Sequence, residues 1–571
     1  MRSPRDCPSE RLGARLKLCM LVNLAFFTLI VISLFRIQVV DHERWRTLAD
    51  SQNTVELEIE PGRGRIFDRN GYLVAGNESF ARFSVYWPEV LADQAFEVDR
   101  VAGLLSEAGF PVPLDRKPGY QVLADNVPYP VALEIMSRGS RMVNCTVLNR
   151  RVYPMGDVMT PVIGRCTPDH TEGLELQLNS VLQGIPGRMT LERSAWMGYS
   201  LQDIDSESVP AQDGLDVILT IDARFQAIAQ EELEAAVVLA GASWGAVVVV
   251  DPNNGDILAM ASYPVRDENG APARNNCVQS NHEPGSTFKA FTLAAGLSEG
   301  LVSLSDSFDV SRGWLEVSGI RIHDSHHIDS VLSLTQVISL SSNVGTVMMA
   351  RAIPDSILYE YCRNFGFGRA TGVELPGELD GVLYPTSRWS GVSRANLAIG
   401  QEICVTPLQL AMAYSAIANG GILYGPRLVS ATGCDGQWSH WNVFERGRVI
   451  SSETAEQIRT ILTTAVEEGT GSSAMIQGVR IAGKTGTAER LALGDNVYLS
   501  AFAGMVPAEN PEIVAVVVID QPDYAYRWGS TLAAPAFQRI VSRILSSDPD
   551  MALSPQGSGE GMLASGWEAA P

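Results

Sequence analysis

Ser286 and Lys289 stand three residues apart in Glu283-Pro284-Gly285-Ser286-Thr287-Phe288-Lys289, a spacing that can support acyl chemistry. Pro284 and Gly285, ahead of the apolar positions Phe288, Phe291 and Leu293, predict a helix start with Ser286 in its first turn. Residues i and i+3 share a helix face, so the Lys289 amine can reach the Ser286 hydroxyl. A serine hydroxyl is a weak nucleophile until a base takes its proton. A lysine becomes that base when burial, a second cation or a helix N-terminus lowers its pKa. Alone, the pattern is better explained by an N-cap serine followed by a solvated lysine.

Two further elements change that balance. Ile338 to Val344 contains Ser341-x-Asn343 between two helical stretches, where a hydroxyl can relay a proton and a carboxamide can hold a substrate amide. As an isolated tripeptide it is an ordinary helix N-cap. Lys484-Thr485-Gly486-Thr487 follows Val479-Arg480-Ile481-Ala482-Gly483, and glycine on both sides of a lysine in a strand-like run predicts close backbone approach to a ligand. A backbone N–H there, with that of Ser286, can form an oxyanion hole. The lysine and the two hydroxyls suit a carboxylate. By itself, a glycine-rich bend with surface threonines explains the same residues.

The elements that must position these groups are legible in outline. Asp216 to Thr220 is strand-like, Asp222 to Leu239 is helical with Ile228, Leu233 and Val237 on one face, and Trp244 to Val250 is a continuous apolar run. An Asn254-Gly255 turn signal leads into a returning strand, Asp256 to Ala261. Ser500 to Val506 and Ile513 to Asp520 form another strand pair, so one sheet closed by distant pieces of chain is expected, with helices between. Residues 50–213 carry short alternations such as Val55 to Glu60, broken by Pro111, Pro113, Pro128 and Pro130. They read as an irregular α+β module without a catalytic constellation. Residues 546–571 turn to Ser, Gly, Pro and acidic types, a disordered-tail composition.

With 571 residues, 46% hydrophobic and 19% charged, the chain is globular, and its formal charge of −22 argues against a nucleic-acid partner. Of 43 basic residues only Lys17, Lys117, Lys289 and Lys484 are lysine. Where arginine serves as the general cation, a retained lysine is a candidate for proton chemistry that arginine cannot perform. The eight cysteines show no zinc spacing; they are buried thiols, or Cys145 pairs with Cys166. His323, His326 and His327, with Asp324 and Asp329, read as a polar loop, so neither metal nor cofactor is expected.

Leu18 to Phe35 is an apolar run, and Arg2, Arg5, Arg11, Arg15 and Lys17 precede it. That predicts a cytoplasmic segment (1–17), an uncleaved membrane anchor (18–38) and an extracytoplasmic remainder.

The order Ser286-x-x-Lys289, Ser341-x-Asn343, Lys484-Thr485-Gly486 resembles the signature of penicillin-binding proteins and serine β-lactamases. Arg63 to Gly71 and Gly173-Leu174-Glu175 are similar to boxes of the non-catalytic module of class B penicillin-binding proteins. Leu375 to Glu378, Thr406 to Leu410 and Ala533 to Phe537 are similar to other landmarks of that family. Glu283-Pro284 and Ser341-Ser342-Asn343 look like its division-septum branch, whereas Glu402 and Arg527 to Ser530 depart from the usual pattern.

The resemblance implies an α+β chain with a single N-terminal transmembrane helix. A pedestal module (50–213) and a transpeptidase domain of antiparallel sheet and helices (214–545) would follow. It implies a D,D-transpeptidase that cross-links peptidoglycan stem peptides ending in D-Ala-D-Ala and is inhibited by β-lactams. Ser286, Lys289, Ser341 and Asn343 would be catalytic, and Lys484, Thr485, Gly486 and Thr487 would bind substrate. The bacterial inner membrane, a septal glycan polymerase and other division membrane proteins would be its partners. A D,D-carboxypeptidase or β-lactamase would share the acylation step but make no use of the anchor and large N-terminal module. A β-lactam sensor would need more than the roughly 17 residues expected on the cytoplasmic side, and an elongation-type transpeptidase would share the reaction.

Overall fold

The computed structural model describes residues 8–138, 142–167, 169–192, 209–490 and 496–548. Most of the expected tail (546–571) and the first seven residues of the expected cytoplasmic segment lie outside them. Two compact units are formed, one from residues 1–62 with 184–214, the other from 63–183 with 215–571. These divisions run along different lines from a split at 213/214.

In the first unit, helix α1 (Pro8–Phe35) continues as a π-helical turn, Arg36–Val40. The stretch Gly13–Val40 contains an 18-residue window of mean hydropathy 2.6 with none of it buried, so it is long and apolar enough to cross a membrane. Strands Thr54–Ile59 and Gly187–Glu192 pair antiparallel nearby in the same unit.

The second unit opens with β1 (Ile66–Phe67), the long β2 (Leu73–Tyr86), β3 (Tyr120–Pro128) and β4 (Asn144–Val152). Strand β2 pairs antiparallel with β1, β3 and β4, and β1 pairs in parallel with β5 (Asp216–Leu219). The Arg63 to Gly71 box is thereby tied to the start of the later domain. Asp68 accepts the backbone N–H of Ala223 at 3.0 Å, and Asn70 Nδ2 donates to Asp222 at 2.8 Å. Asp222 in turn caps helix α2 (Ala223–Leu239), its side chain accepting the Arg224 and Phe225 N–H groups.

A five-stranded sheet collects β6 (Trp244–Val250) and β7 (Ile257–Tyr263), then, after helices α3 (Lys289–Ser298), α4 (Asn343–Ala350) and α5 (Pro407–Ala418), strands β8 (Ala482–Glu489), β9 (Tyr498–Val506) and β10 (Ile513–Asp520). Helix α6 (Ala533–Ser547) ends the described chain. The sheet order is β8-β9-β10-β6-β7, every pair antiparallel, which joins the two distant strand pairs expected from sequence.

Every residue of β6 and β10 is buried, because both faces of the sheet are covered. Val248 and Val516 enter one apolar cluster with Phe291 of α3 and Tyr414 of α5. Their neighbours Val247 and Val517 enter another with Phe225 of α2 and Phe537 of α6. Continuous rather than alternating hydrophobicity in Trp244 to Val250 follows from this two-sided packing, since strand side chains point alternately to opposite faces. Cys145 and Cys166, left open as a pair by sequence, are both free thiols.

Candidate active site

Ser286 lies in a 3₁₀ turn, Gly285–Phe288, that feeds directly into α3, so Lys289 begins the α-helix one turn later. The turn is held from behind. Tyr414 donates its hydroxyl to the Thr287 carbonyl at 2.7 Å, and Phe288, Phe291, Phe365, Phe367 and Tyr414 stack at ring-centroid distances of 4.9–5.4 Å. In front, β8 packs against the turn so closely that a Cβ on Gly486 would sit 2.8 Å from Thr287 Cγ2 and 3.0 Å from the Pro284 carbonyl oxygen. The close backbone approach inferred from the two glycines is thus present at Gly486, and it runs between the strand and the Ser286 turn.

Lys289 is fully buried, and its amine donates to the Ser341 carbonyl at 2.6 Å, to Asn343 Oδ1 at 2.7 Å and to Ser341 Oγ at 3.3 Å. None of these bonds goes to Ser286, the partner expected from spacing alone. A buried amine has to satisfy its donors, and the Ser341–Asn343 turn supplies three acceptors. The arrangement therefore places Lys289 between the serine turn on its own helix and a second hydroxyl, Ser341 Oγ.

Lys484 on β8 is also fully buried, and its amine reaches only its neighbour's carbonyl, Thr485 O, at 3.3 Å. Burial pushes its pKa down to about 7. Lys289 is pushed well below the ordinary lysine range, chiefly by burial and next by the Lys484 charge, while Asp324 pulls it upward. The lysine pair is thus tuned toward a neutral amine at Lys289. Thr485 and Thr487 project from the same face of β8: Thr485 Oγ1 lies 2.7 Å from Thr470 Oγ1, and Thr487 Oγ1 accepts the Gly529 N–H at 3.1 Å. Ser286, Ser341, Asn343, Thr485 and Thr487 all line one cleft of about 350 Å³.

Asp324 does work that its sequence context, a polar loop with three histidines, does not announce. It follows the hairpin Trp314–Val317/Ile320–His323. Its carboxylate accepts Ser342 Oγ at 2.9 Å, the Val344 N–H at 2.9 Å and the Asn343 N–H, capping the N-terminus of α4. Asn343 Nδ2 donates to the His323 carbonyl at 3.0 Å. Ser341 itself sits at φ +62°, a left-handed conformation disfavoured for non-glycine residues, and the turn is held there by these bonds. His326 and Trp528, also unselected by sequence reasoning, line the same cleft with ring centroids 5.7 Å apart. Only the departure of Arg527 to Ser530 from the usual pattern pointed toward Trp528. Glu402, the other departure, has φ +56°, a conformation that glycine adopts freely; its backbone N–H donates to Glu283 Oε1 at 3.0 Å.

The profile of the penicillin binding protein transpeptidase domain matches residues 245–542, and that of the penicillin-binding protein dimerisation domain matches residues 58–219. Stage V sporulation protein D of Bacillus subtilis is 32% identical over 573 residues, covering 95% of this chain and 86% of that protein. Peptidoglycan D,D-transpeptidase FtsI of Escherichia coli is 35% identical over 416 residues, covering 70% of this chain and 68% of that protein. Among solved structures, penicillin binding protein 3 from Mycobacterium tuberculosis in complex with aztreonam superposes with a TM-score of 0.67 at 29% identity, over 87% of this chain and 98% of that one.

Proposed function

The chain belongs to the class B penicillin-binding proteins and is a peptidoglycan D,D-transpeptidase; on that premise we propose that it cross-links stem peptides at the division septum through an acyl-enzyme on Ser286. The observation that carries the residue assignment is the meeting of Ser286, buried Lys289, the Ser341–Asn343 turn and the Thr485–Thr487 row around one cleft.

In the proposed reaction Ser286 Oγ attacks the carbonyl carbon of the penultimate D-Ala and its proton passes to the neutral Lys289 amine. The oxyanion is held by the backbone N–H groups of Ser286 and Thr487. Asn343 holds the donor peptide, while Lys484 and the hydroxyls of Thr485 and Thr487 hold the terminal carboxylate. The C–N bond to the terminal D-Ala then breaks. Its nitrogen takes the proton back by way of Ser341 Oγ, leaving an ester on Ser286. An amine from a neighbouring stem attacks that ester, surrenders its proton along the same path and regenerates the serine. A β-lactam enters the first half of the sequence and stops there.

The chain is membrane-anchored. In the proposed topology α1 crosses the inner membrane once, with its start in the cytoplasm and the catalytic side outside. The residues around Glu283 and Ser342, together with the FtsI relative, support the septal branch. A glycan polymerase and other division membrane proteins are the expected partners of the pedestal module, taken as 50–213 ahead of a 214–545 transpeptidase domain. Intact-mass measurement of the full-length protein in detergent after penicillin treatment should show one adduct, lost in Ser286→Ala, and a fluorescently tagged copy should gather at mid-cell. An adduct that persists in Ser286→Ala overturns the site, and uniform envelope fluorescence overturns the septal role.

A further inference from the structure

The cleft beside Ser286 has two chemically different ends. Successive same-face side chains on a strand are two residues apart, so Thr485, Thr487 and Glu489 form one row along β8, and all three line the cleft. At one end Thr485 meets the Thr470 hydroxyl, with the Lys484 amine adjoining. At the other, Glu489 stands beside Tyr498 and Trp528.

Glu489 contributes the only carboxylate among the residues lining the cleft; it is exposed, and its side chain makes no ion pair or hydrogen bond among the described residues. Two arginines stand near it, and one of them lies against the Trp528 ring. Arg490 donates to Asp520 at 2.7 Å, and Arg527 bonds the Tyr524 carbonyl and lies 3.7 Å from the Tyr524 ring centroid and 4.8 Å from that of Trp528. Neither lines the cleft. The Tyr498 phenol is pushed up first by burial and then by the Glu489 charge, which places that charge at the aromatic wall.

We propose that Glu489, Tyr498 and Trp528 form a subsite for an ammonium carried by the donor stem peptide, on the side chain of the residue that precedes the D-Ala pair. This rests on the transpeptidase reading, which sends the terminal carboxylate to the hydroxyl end and so directs the rest of the donor toward Glu489. The distances agree. Thr485 and Glu489 are four residues apart, about 13 Å along the strand. An extended peptide covers about 7 Å in two residues, and a four-carbon amine side chain adds roughly 6 Å. A carboxylate in a cleft wall shared with two aromatic side chains is chemistry that favours an ammonium over a neutral amide.

The test uses the full-length protein in detergent and two synthetic donors ending in a thioester to a D-lactate analogue. The donors are identical except that the preceding side chain ends in a free ammonium in one and its N-acetyl amide in the other. The expected kcat/KM favours the ammonium donor about tenfold at low salt, with the preference shrinking at high salt. It should fall to within about twofold in Glu489→Gln, return in part in Glu489→Asp and invert in Glu489→Lys. No preference in wild-type protein that still forms the penicillin adduct overturns the subsite alone, as does a preference that survives in Glu489→Gln and Glu489→Lys. Wild-type protein that forms no penicillin adduct overturns the underlying acyl-enzyme reading instead.

Discussion

Around Glu175 the fold buries a carboxylate between two guanidiniums, with Arg63 and Arg151 each donating to it at 2.7 Å and the Glu175 side chain wholly inaccessible. At the cleft the same unit buries two lysines, Lys289 and Lys484, with no carboxylate among the described residues hydrogen-bonded to either. Both arrangements carry the desolvation cost of charge, and they answer it differently. The first compensates by ion pairing and by further bonds from Arg63 to Asn179 and from Arg151 to the Gly64 carbonyl. The second lets pKa values fall, so that the charge itself becomes optional. A buried charge that is paired fixes structure; one left unpaired by carboxylate is available for proton transfer.

The largest effect should come from forcing a permanent charge into the second place. Lys289→Arg keeps a cation but cannot release a proton, so acylation by penicillin should fall by about 10³–10⁴-fold. Lys289→Met, which keeps much of the volume and removes the base, should lose as much. Single-turnover acylation of protein verified as folded by its thermal transition reads both. A Lys289→Arg variant acylating near the wild-type rate would mean the lysine is held as a structural cation, and the contrast with Glu175 would disappear.

The converse change belongs to the first place. Glu175→Gln leaves Arg63 and Arg151 facing a neutral amide in a buried setting, and removal of one partner from such a group costs about 3–5 kcal/mol. Because Glu175 lies outside the cleft, the loss should show in denaturant midpoint while the acylation rate of the folded fraction stays put. A slower rate at unchanged stability would place the Arg63 and Glu175 boxes in the chemistry and not in the frame.

These two regions also differ in how far sequence exposes them. The three motifs give the proposed reacting groups directly, because each packs its residue types within four positions, and the strands of the central sheet are visible as apolar runs. The α2 start is marked by Asp222. The partners of those groups are another matter. Lys289 bonds to a turn more than fifty residues along the chain, Asp324 reaches Ser342 from a separate hairpin, and Glu175 joins Arg63 across 112 positions. No periodicity records such pairings, since they are set by which surfaces the fold brings together. Glu489 is a further case: its cleft-facing direction follows from strand alternation after Thr485 and Thr487, but only once Ala482–Glu489 is known to be one strand. Likewise the i+3 spacing put Lys289 on the Ser286 face, and burial then redirected its amine to the acceptors of residues 341–343.

The smallest predicted effect is a pH slope in stability, and it separates the two kinds of buried charge without touching activity. Lys484 has a folded pKa of about 7, whereas an unfolded lysine titrates near 10.4. Below about pH 7 both states hold the proton, and the cost of burying the ammonium is felt in full. Between about 7 and 10.4 the unfolded chain holds a proton that the folded state has released, so stability rises with pH by up to about 1.4 kcal/mol per unit. The contribution is greatest above the unfolded pKa and is lost as pH falls through that window. In Lys484→Met this slope should vanish. The wild-type minus Lys484→Met difference between pH 7.5 and 9.5 should therefore be that of one lysine. A flat difference for Lys484→Met would mean that Lys484 stays protonated when folded, and that the cleft holds its charge as rigidly as the Glu175 site does.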